Sequence, residues 1–357
     1  MNHWALKSIV KSSATRGQKV RGIDNSLDTM NSLKQSRILY YGAGRPTNIG
    51  NAFIDLGAMA ILKGAIPGLE IAFASEMPRW FFTHAQTERS FAEKRNILSR
   101  HKSRSQVVKP SSDNALDIGA ITKCDMVAFA GMAMCDEFVQ INGPTIVALA
   151  KRGVPVLLLG TGALAYTETE QRLYGEFLEQ VKPVAFISRD SRSFELFRKF
   201  VPNSFDGIDC AFFLPGAYTP FELTLPPYIV AAFDHTKEPE IEPGGRLLIR
   251  AHHECWGPSP LKYVQHGNTH VSDIPQDYLT LYANAEAVHT DRVHACIAAL
   301  AYGRRARLYR PTPRGALFDS VGANRIGEEL VQIDVPALAE KRRLLIEFVA
   351  KCTKAHL

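Results

Sequence analysis

No apolar run in this sequence reaches the ~18–20 residues needed to cross a bilayer. The longest candidate, Val154 to Leu159, has only the length of a buried strand. The N-terminus lacks a continuous apolar core ahead of a small-residue cleavage site, so no secretory signal is read and a cytoplasmic location is expected. Cysteine is sparse and scattered. Cys124, Cys135, Cys210, Cys255, Cys296 and Cys352 include no C-x-x-C pair, which argues against a disulfide framework and against metal-ligand spacing. Acidic residues are outnumbered, 36 against 42 Lys and Arg, and the net charge of +6 favours anionic partners without identifying them. Zinc fingers, RNA-recognition signatures and basic patches interleaved with aromatics are missing, so nucleic acid is not expected as a partner. Gly42-Ala43-Gly44 does not complete a dinucleotide fingerprint, and there is no Walker A sequence.

What is present is an ordinary globular balance, 46% hydrophobic and 22% charged, over 357 residues, a length suited to two domains rather than one core. Residues 1–35 are polar with poor periodicity and read as a loose, flexible N-terminal arm. The strand Arg37 to Tyr41 is followed by a helix on the period Ala52, Phe53, Leu56, Ala60, Ile61, and then by a strand at Glu70 to Phe73. Further strands are expected at Asp125–Ala130, Val154–Leu159 and Val184–Ile187, separated by helices. One helix is entered at Pro144 and left at Gly153. Another follows a turn at Gly160-Thr161-Gly162 and opens with a capping box at Thr167 to Glu170. A short helix from Ser191 to Phe200 follows, with Asp190 or Ser191 as its N-cap.

Pro215 to Pro243 carries six prolines and little periodicity, and part of it reads as a connection. The alternation resumes with strands at Leu247–Arg250, Ala287–Thr290 and Ala306–Arg310. Helices are expected at Pro275–Asn284 and Asp291–Ala301, and a closing helix at 336–352. Strand-helix repetition of this kind predicts parallel sheets. The expected fold is therefore α/β, with two Rossmann-like domains (36–215 and 244–357, joined by 216–243) facing a central cleft. Ligands in such folds bind at the carboxyl ends of the strands.

Four segments carry candidate chemistry. Thr290-Asp291-Arg292-Val293-His294 joins a strand end to a helix start, where free amides attract anions, an Arg adds a forked donor and a His can bind phosphate or move a proton. The alternative is a capped helix with exposed polar residues. Ser188-Arg189-Asp190 also lies at a strand end, where Arg189 either enters the cleft or forms a surface salt bridge. Thr47-Asn48-Ile49-Gly50-Asn51 places small polar residues around a Gly, so backbone amides can approach a ligand. His252-His253-Glu254-Cys255, near Trp256, invites a zinc reading but has no second ligand pair, which leaves His252 or His253 lining the cleft. The basic segment 89–109 is either a solvated face or a contact with an anionic glycan or a membrane-surface phosphate.

The order of Asn48-Ile49-Gly50, Ser188-Arg189-Asp190 with Ser193, Asp209-Cys210-Ala211-Phe212-Phe213-Leu214, and Thr290-Asp291-Arg292-Val293-His294-Ala295 resembles the polysaccharide pyruvyl transferase family, over roughly residues 37 to 320. The resemblance implies a fold similar to the GT-B glycosyltransferases. It also implies transfer of the pyruvyl unit of phosphoenolpyruvate, as a ketal, to a sugar or lipid-linked glycan in exopolysaccharide or cell-surface glycan biosynthesis. Phosphoenolpyruvate would be a donor substrate, and no separate cofactor or metal is implied. By the same resemblance Arg189, Arg292 and His294 are the catalytic candidates and, with Ser188 and Thr290, hold the donor. Asn48, Gly50, Asn51, His252 and His253 are candidates for contact with substrate. The family often has Asp after its Asn-x-Gly, where this chain has Asn51, and a Gly-Gly-Gly run where this chain has Gly131-Met132-Ala133-Met134. The alternatives are a GT-B nucleotide-sugar glycosyltransferase and a non-catalytic glycan-binding relative.

Overall fold

The computed structural model describes residues 36–42, 44, 48–84, 115–254 and 266–357. The proposed arm at 1–35, the basic segment 89–109, and Thr47, Cys255 and Trp256 lie outside the described residues. The described chain builds two parallel sheets. The first holds β1 (Arg37–Gly42), β2 (Glu70–Ser75), β3 (Met126–Ala130), β4 (Ala133–Met134), β5 (Val156–Ala163), β6 (Ala185–Ser188) and β7 (Ser204–Phe205), in the order β2-β1-β3-β5-β6-β7 with β4 on β5. The second holds β8 (Tyr228–Ala232), β9 (Leu247–Ala251), β10 (Thr269–His270), β11 (Ala287–Thr290) and β12 (Arg305–Leu308), in the order β10-β9-β8-β11-β12. Both orders reverse direction beside the earliest strand, which opens a crevice at the carboxyl edge.

Strand periodicity sorts the core. In β1, Ile38 and Tyr40 face one way and Leu39 and Tyr41 the other, and all of them are buried. Leu39, Tyr41, Val127, Phe129 and Leu158 pack under α2 (Asp136–Lys151) and α3 (Glu168–Val181). Ile38, Tyr40, Ala128 and Leu157 join a second cluster that runs through α1 (Ile49–Ala65) into β8, α5 (Pro275–Asn284) and α6 (Val293–Ala301). α4 (Ser191–Phe197) packs Phe197 into the first of these clusters and is capped by Asp190, whose side chain accepts from the Ser193 amide. The last helix, α7 (Val335–Thr353), returns to the first half. Arg342 Nε donates to the Phe212 carbonyl at 2.7 Å, and Phe348 sits 4.9 Å from the Phe205 ring. One apolar core thus serves both sheets, and Ser36–Leu357 form one compact unit.

Three local expectations need correction. Pro144 does not open its helix. It lies inside α2, which starts at Asp136 with two acids in its first turn, a favourable placement against the helix dipole. Gly160-Thr161-Gly162 is not a turn but the continuation of β5, which carries a register shift between Leu158 and Thr161. Gly160 has φ +63°, and a Cβ there would sit 2.5 Å from Cys210 Sγ, so a Gly is required by both conformation and space. The connecting segment 216–243 contains β8, the central strand of the second sheet; its proline-rich flanks hid five buried residues.

Candidate functional site

The segment between β11 and α6 is built for rigidity. Thr290 is fully buried; its hydroxyl donates to the Ala232 carbonyl at 2.7 Å and accepts from the Arg292 amide at 2.8 Å. Asp291 faces the loop after β8, where its carboxylate accepts from the amides of Asp234 (3.1 Å), His235 (2.7 Å) and Thr236 (2.7 Å) and from the Thr236 hydroxyl (3.2 Å). Charge-assisted bonds of this kind fix that loop. Arg292 then projects across the crevice. Its Nη2 donates to Asn48 Oδ1 at 2.7 Å, its Nη1 meets Glu254 and the Nε2 of His235, and its Nε lies 3.9 Å from Asp234. One guanidinium therefore ties the N-terminus of α1 to the loops after β8 and β9.

His294, in the first turn of α6, stands beside Gly50. A Cβ on that glycine would come within 3.2 Å of the His294 Cβ, so the small residue permits the close approach of α1. Behind the imidazole, Nε2 is 3.8 Å from Asp209 Oδ2, while Asp209 Oδ1 accepts from the Ala211 amide at 2.8 Å. Burial pushes the Asp209 carboxyl up. The nearby His294 imidazole, the Ala211 amide and the Arg189 charge outweigh that and hold it below the usual carboxylate range. An ionised Asp209 orients the imidazole.

Arg189 is 5% exposed, at the end of β6. Its Nη2 donates to the Ala163 carbonyl at 2.5 Å, and its Nε finds no hydrogen-bond partner among the described residues. Asp190 lies 3.7 Å from that Nε but is itself engaged with Ser193 and Tyr166. A Cβ at Gly162 would come within 2.5 Å of Arg189 Nε, so the glycine strand end makes room for the guanidinium.

These groups surround two adjoining cavities. The larger, about 320 Å³, is lined by Asn48, Gly50, His253, Arg292, His294 and the turn Arg310 to Arg314, among others. The smaller, about 200 Å³, is lined by residues that include Asn51, Glu76, Met132, Glu137 and Arg189. His294 and Arg314 line both, which places them at the junction. Burial, then the charge of Arg189, holds the Arg314 guanidinium below its ordinary value. Arg292 and Arg310 act in the same direction, and Asp209 opposes them. His253 lines the larger cavity, and burial, followed by the Arg292 charge, depresses its imidazole to about 3. It is neutral near pH 7, with Nδ1 unpartnered among the described residues.

Of the residues singled out in the sequence, the structure brings Asn48, Gly50, Asn51, Arg189, His253, Arg292 and His294 to these cavities. Ser188, Thr290 and His252 stand apart from both linings. The Ser188 and Thr290 hydroxyls are fully buried on backbone groups, and His252 Nδ1 bonds Asp234 at 3.0 Å. Their side chains are held by neighbouring groups outside the two linings. Sequence reasoning missed Arg310, Arg314, His235 and Glu76. The pair Arg310-Pro311-Thr312-Pro313-Arg314, two cations on a stiff turn just past a strand end, was the signal available for the first two. Among the described residues no group of three or more His, Cys, Asp or Glu side chains could hold a metal ion, and no helix is long and apolar enough to cross a membrane.

A family model described as polysaccharide pyruvyl transferase matches residues 48–310, a span holding both cavities except Pro311 to Arg314. No curated protein matches the sequence. Among solved structures, S. aureus MnaA in its co-structure with UDP is similar with a TM-score of 0.51 at 10% identity, covering 90% of this chain and 92% of that one. The UDP-GlcNAc 2-epimerase from Methanocaldococcus jannaschii is similar at TM-score 0.48 and 12% identity, covering 90% and 99% of the two chains. The Neisseria meningitidis UDP-GlcNAc 2-epimerase bound to UDP-GlcNAc is similar at 0.46 and 12%, covering 88% and 94%. Identity this low speaks to the fold, a GT-B-like α/β architecture with parallel sheets, and not to what the cleft binds.

Proposed function

The chain belongs to the polysaccharide pyruvyl transferase family, and from that membership we propose that it moves the pyruvyl unit of phosphoenolpyruvate onto two hydroxyls of a sugar or glycan as a ketal. One observation carries the reading. Arg189, Arg292, Arg310 and Arg314 converge with His294 on one cleft at the strand ends, and the Arg189 Nε has no hydrogen-bond partner among the described residues. Phosphoenolpyruvate offers a phosphate and a carboxylate on a compact skeleton, and forked guanidinium donors match both groups. The Arg292 contact with Asn48 holds that cation in place across the crevice before a ligand arrives.

The reaction needs a proton delivered to the donor's methylene carbon. His294, at the junction and oriented by Asp209, is the acid. Its proton converts the methylene to a methyl group and leaves an oxocarbenium-like centre at the neighbouring carbon. One sugar hydroxyl adds there and loses its proton, the C–O bond to phosphate breaks, and the phosphate leaves with its electron pair. The second hydroxyl then closes the ring. Of the two protons released by the hydroxyls, one restores His294 and the other leaves with the phosphate. The arginines hold the departing dianion, a role in which fixed donors are worth more than in water.

The test is phosphate release, with detection of the new ketal methyl by NMR, from phosphoenolpyruvate and a panel of sugars. Parent protein should release phosphate with at least one acceptor, and Arg292→Ala should lower the rate by at least ~100-fold. Turnover of a nucleotide sugar by the parent, with phosphoenolpyruvate inert, would replace this reading with glycosyl transfer.

A further inference from the structure

The guanidinium proposed to hold phosphoenolpyruvate is already bonded to a carboxylate. Arg292 Nη1 donates to Glu254 Oε1, and His235 Nε2 lies 3.4 Å from the same oxygen. On its other side Arg292 Nε is 3.9 Å from Asp234, and Nη2 donates to Asn48. The two acids differ in kind. The Asp234 side chain is 1% exposed and accepts from the His253 amide at 3.0 Å, which makes it a fixed counter-charge. The Glu254 side chain is 35% exposed and lines the larger cavity with Arg292. A partly exposed ion pair is weak. The phosphate or carboxylate of phosphoenolpyruvate matches the guanidinium fork better, and its charge repels Glu254.

The ketal-forming reaction also releases a hydroxyl proton that ends on the departing phosphate, and a base must carry it. Among the described residues, the acids lining the larger cavity are Asp291 and Glu254. The Asp291 carboxylate is taken up by three amides and the Thr236 hydroxyl. His253 is depressed to about 3 by burial and shares its Nε2 with the Tyr282 hydroxyl, so it takes up no proton near neutral pH. His294 is the acid of the first step. Glu254 remains, a carboxylate open to the cavity and in contact with the guanidinium that holds the phosphate.

We infer that Glu254 is the general base of the reaction: the donor displaces it from Arg292, and the freed carboxylate takes the proton of the first attacking hydroxyl. This rests on the reading of the cleft as the phosphoenolpyruvate site. The hydroxyl O–H bond breaks as its oxygen bonds the oxocarbenium-like carbon, and the proton passes to Glu254. When the C–O bond to phosphate breaks, the phosphate oxygen that receives the electron pair takes that proton. Glu254 is thereby ionised again and returns to Arg292 as the phosphate departs. The proton of the second hydroxyl restores His294, so no proton is left over. The two roles of Glu254 pull in opposite directions when its charge is removed. A carboxylate that only braced Arg292 would, once neutralised, weaken donor binding and turnover together. One that competes with the donor and then serves as base tightens the first and slows the second.

The experiment uses the full chain and reads two quantities: phosphoenolpyruvate affinity by calorimetry, and phosphate release at saturating donor with glucose, galactose, mannose and N-acetylglucosamine. Glu254→Gln should bind phosphoenolpyruvate at least ~3-fold more tightly than the parent. Its phosphate release should be slower by at least ~100-fold. Glu254→Asp keeps a carboxylate but draws it back from Arg292, and it carries the test if Glu254→Gln fails to fold. It should bind the donor at least as tightly as the parent and turn over more slowly. The inference is overturned if Glu254→Gln binds the donor no more tightly than the parent, if Glu254→Asp binds it more weakly, or if the variants release phosphate at the parent rate. It is also overturned if His235→Asn abolishes turnover and Glu254→Gln does not, because the base is then the imidazole. The donor reading fails separately. Absence of phosphoenolpyruvate binding to the parent sinks that reading and the role of Glu254 with it. Donor binding to the parent without phosphate release from any of the sugars sinks the role of Glu254 alone.

Discussion

Replacing His253 by Gln should flatten the acid limb of this protein's stability. His253 is 1% exposed, shares a hydrogen bond with the Tyr282 hydroxyl through Nε2 and packs edge-on against Phe53 and Tyr278. Burial and the nearby Arg292 charge depress its imidazole to about 3, against about 6.5 in an unfolded chain. Between these values the unfolded state binds a proton that the native state refuses, so stability rises with pH. The contribution is complete above about pH 6.5 and is lost as the pH falls toward 3. At about 1.4 kcal/mol per pH unit once the unfolded imidazole is mostly protonated, the loss from pH 7 to pH 5 is about 2 kcal/mol. His270 and His289 are also depressed by burial, but they act equally in parent and variant and cancel in the difference. Glutamine keeps a hydrogen-bonding group near Tyr282 and does not titrate. Urea denaturation at pH 7, 6 and 5 should show the parent losing about 2 kcal/mol more than His253→Gln over that range. Equal losses in the two proteins would refute the buried, neutral assignment of His253.

Two further outcomes follow from close contacts. At Gly57 a Cβ would lie 1.8 Å from the Cys210 carbonyl oxygen, so α1 could not keep its seat on the turn that carries Asp209. Gly57→Ala should lower stability by about 2 kcal/mol or more, despite its better helix propensity, as read from the urea midpoint. Asp291 holds three backbone amides and one hydroxyl. Asp291→Ala should cost about 3 kcal/mol or more and weaken phosphoenolpyruvate binding, because the loop bearing His235 loses its anchor. Calorimetry on the folded variant measures the second effect.

Local pattern made most of the fold legible. The uninterrupted apolar run of β5 and the apolar and aromatic run of β1 announced buried strands, and the Thr167–Glu170 box is present as a reciprocal cap. Punctuation by Pro and Gly misled where tertiary packing overrode it. Pro144 is carried inside α2, and Gly160 continues a strand because Cys210 leaves no room for a side chain. β8 went unread because its five apolar residues sit between prolines, and only its neighbours β9 and β11 reveal it as central. In the site, Arg189, Arg292 and His294 could be found because each sits within a few residues of a strand end. Glu76 and Arg314 could not be joined to them from sequence. They lie on segments brought together by the sheet order and by the return of the chain after β12.

The most direct test of the central claim is calorimetric titration of parent and Arg189→Ala protein with phosphoenolpyruvate, beside UDP-GlcNAc. The account predicts saturable phosphoenolpyruvate binding to the parent, weakened at least tenfold in Arg189→Ala, and no saturable heat from the nucleotide sugar. Phosphoenolpyruvate binding that is absent from the parent or indifferent to Arg189, or UDP-GlcNAc saturating the cleft in its place, would contradict it.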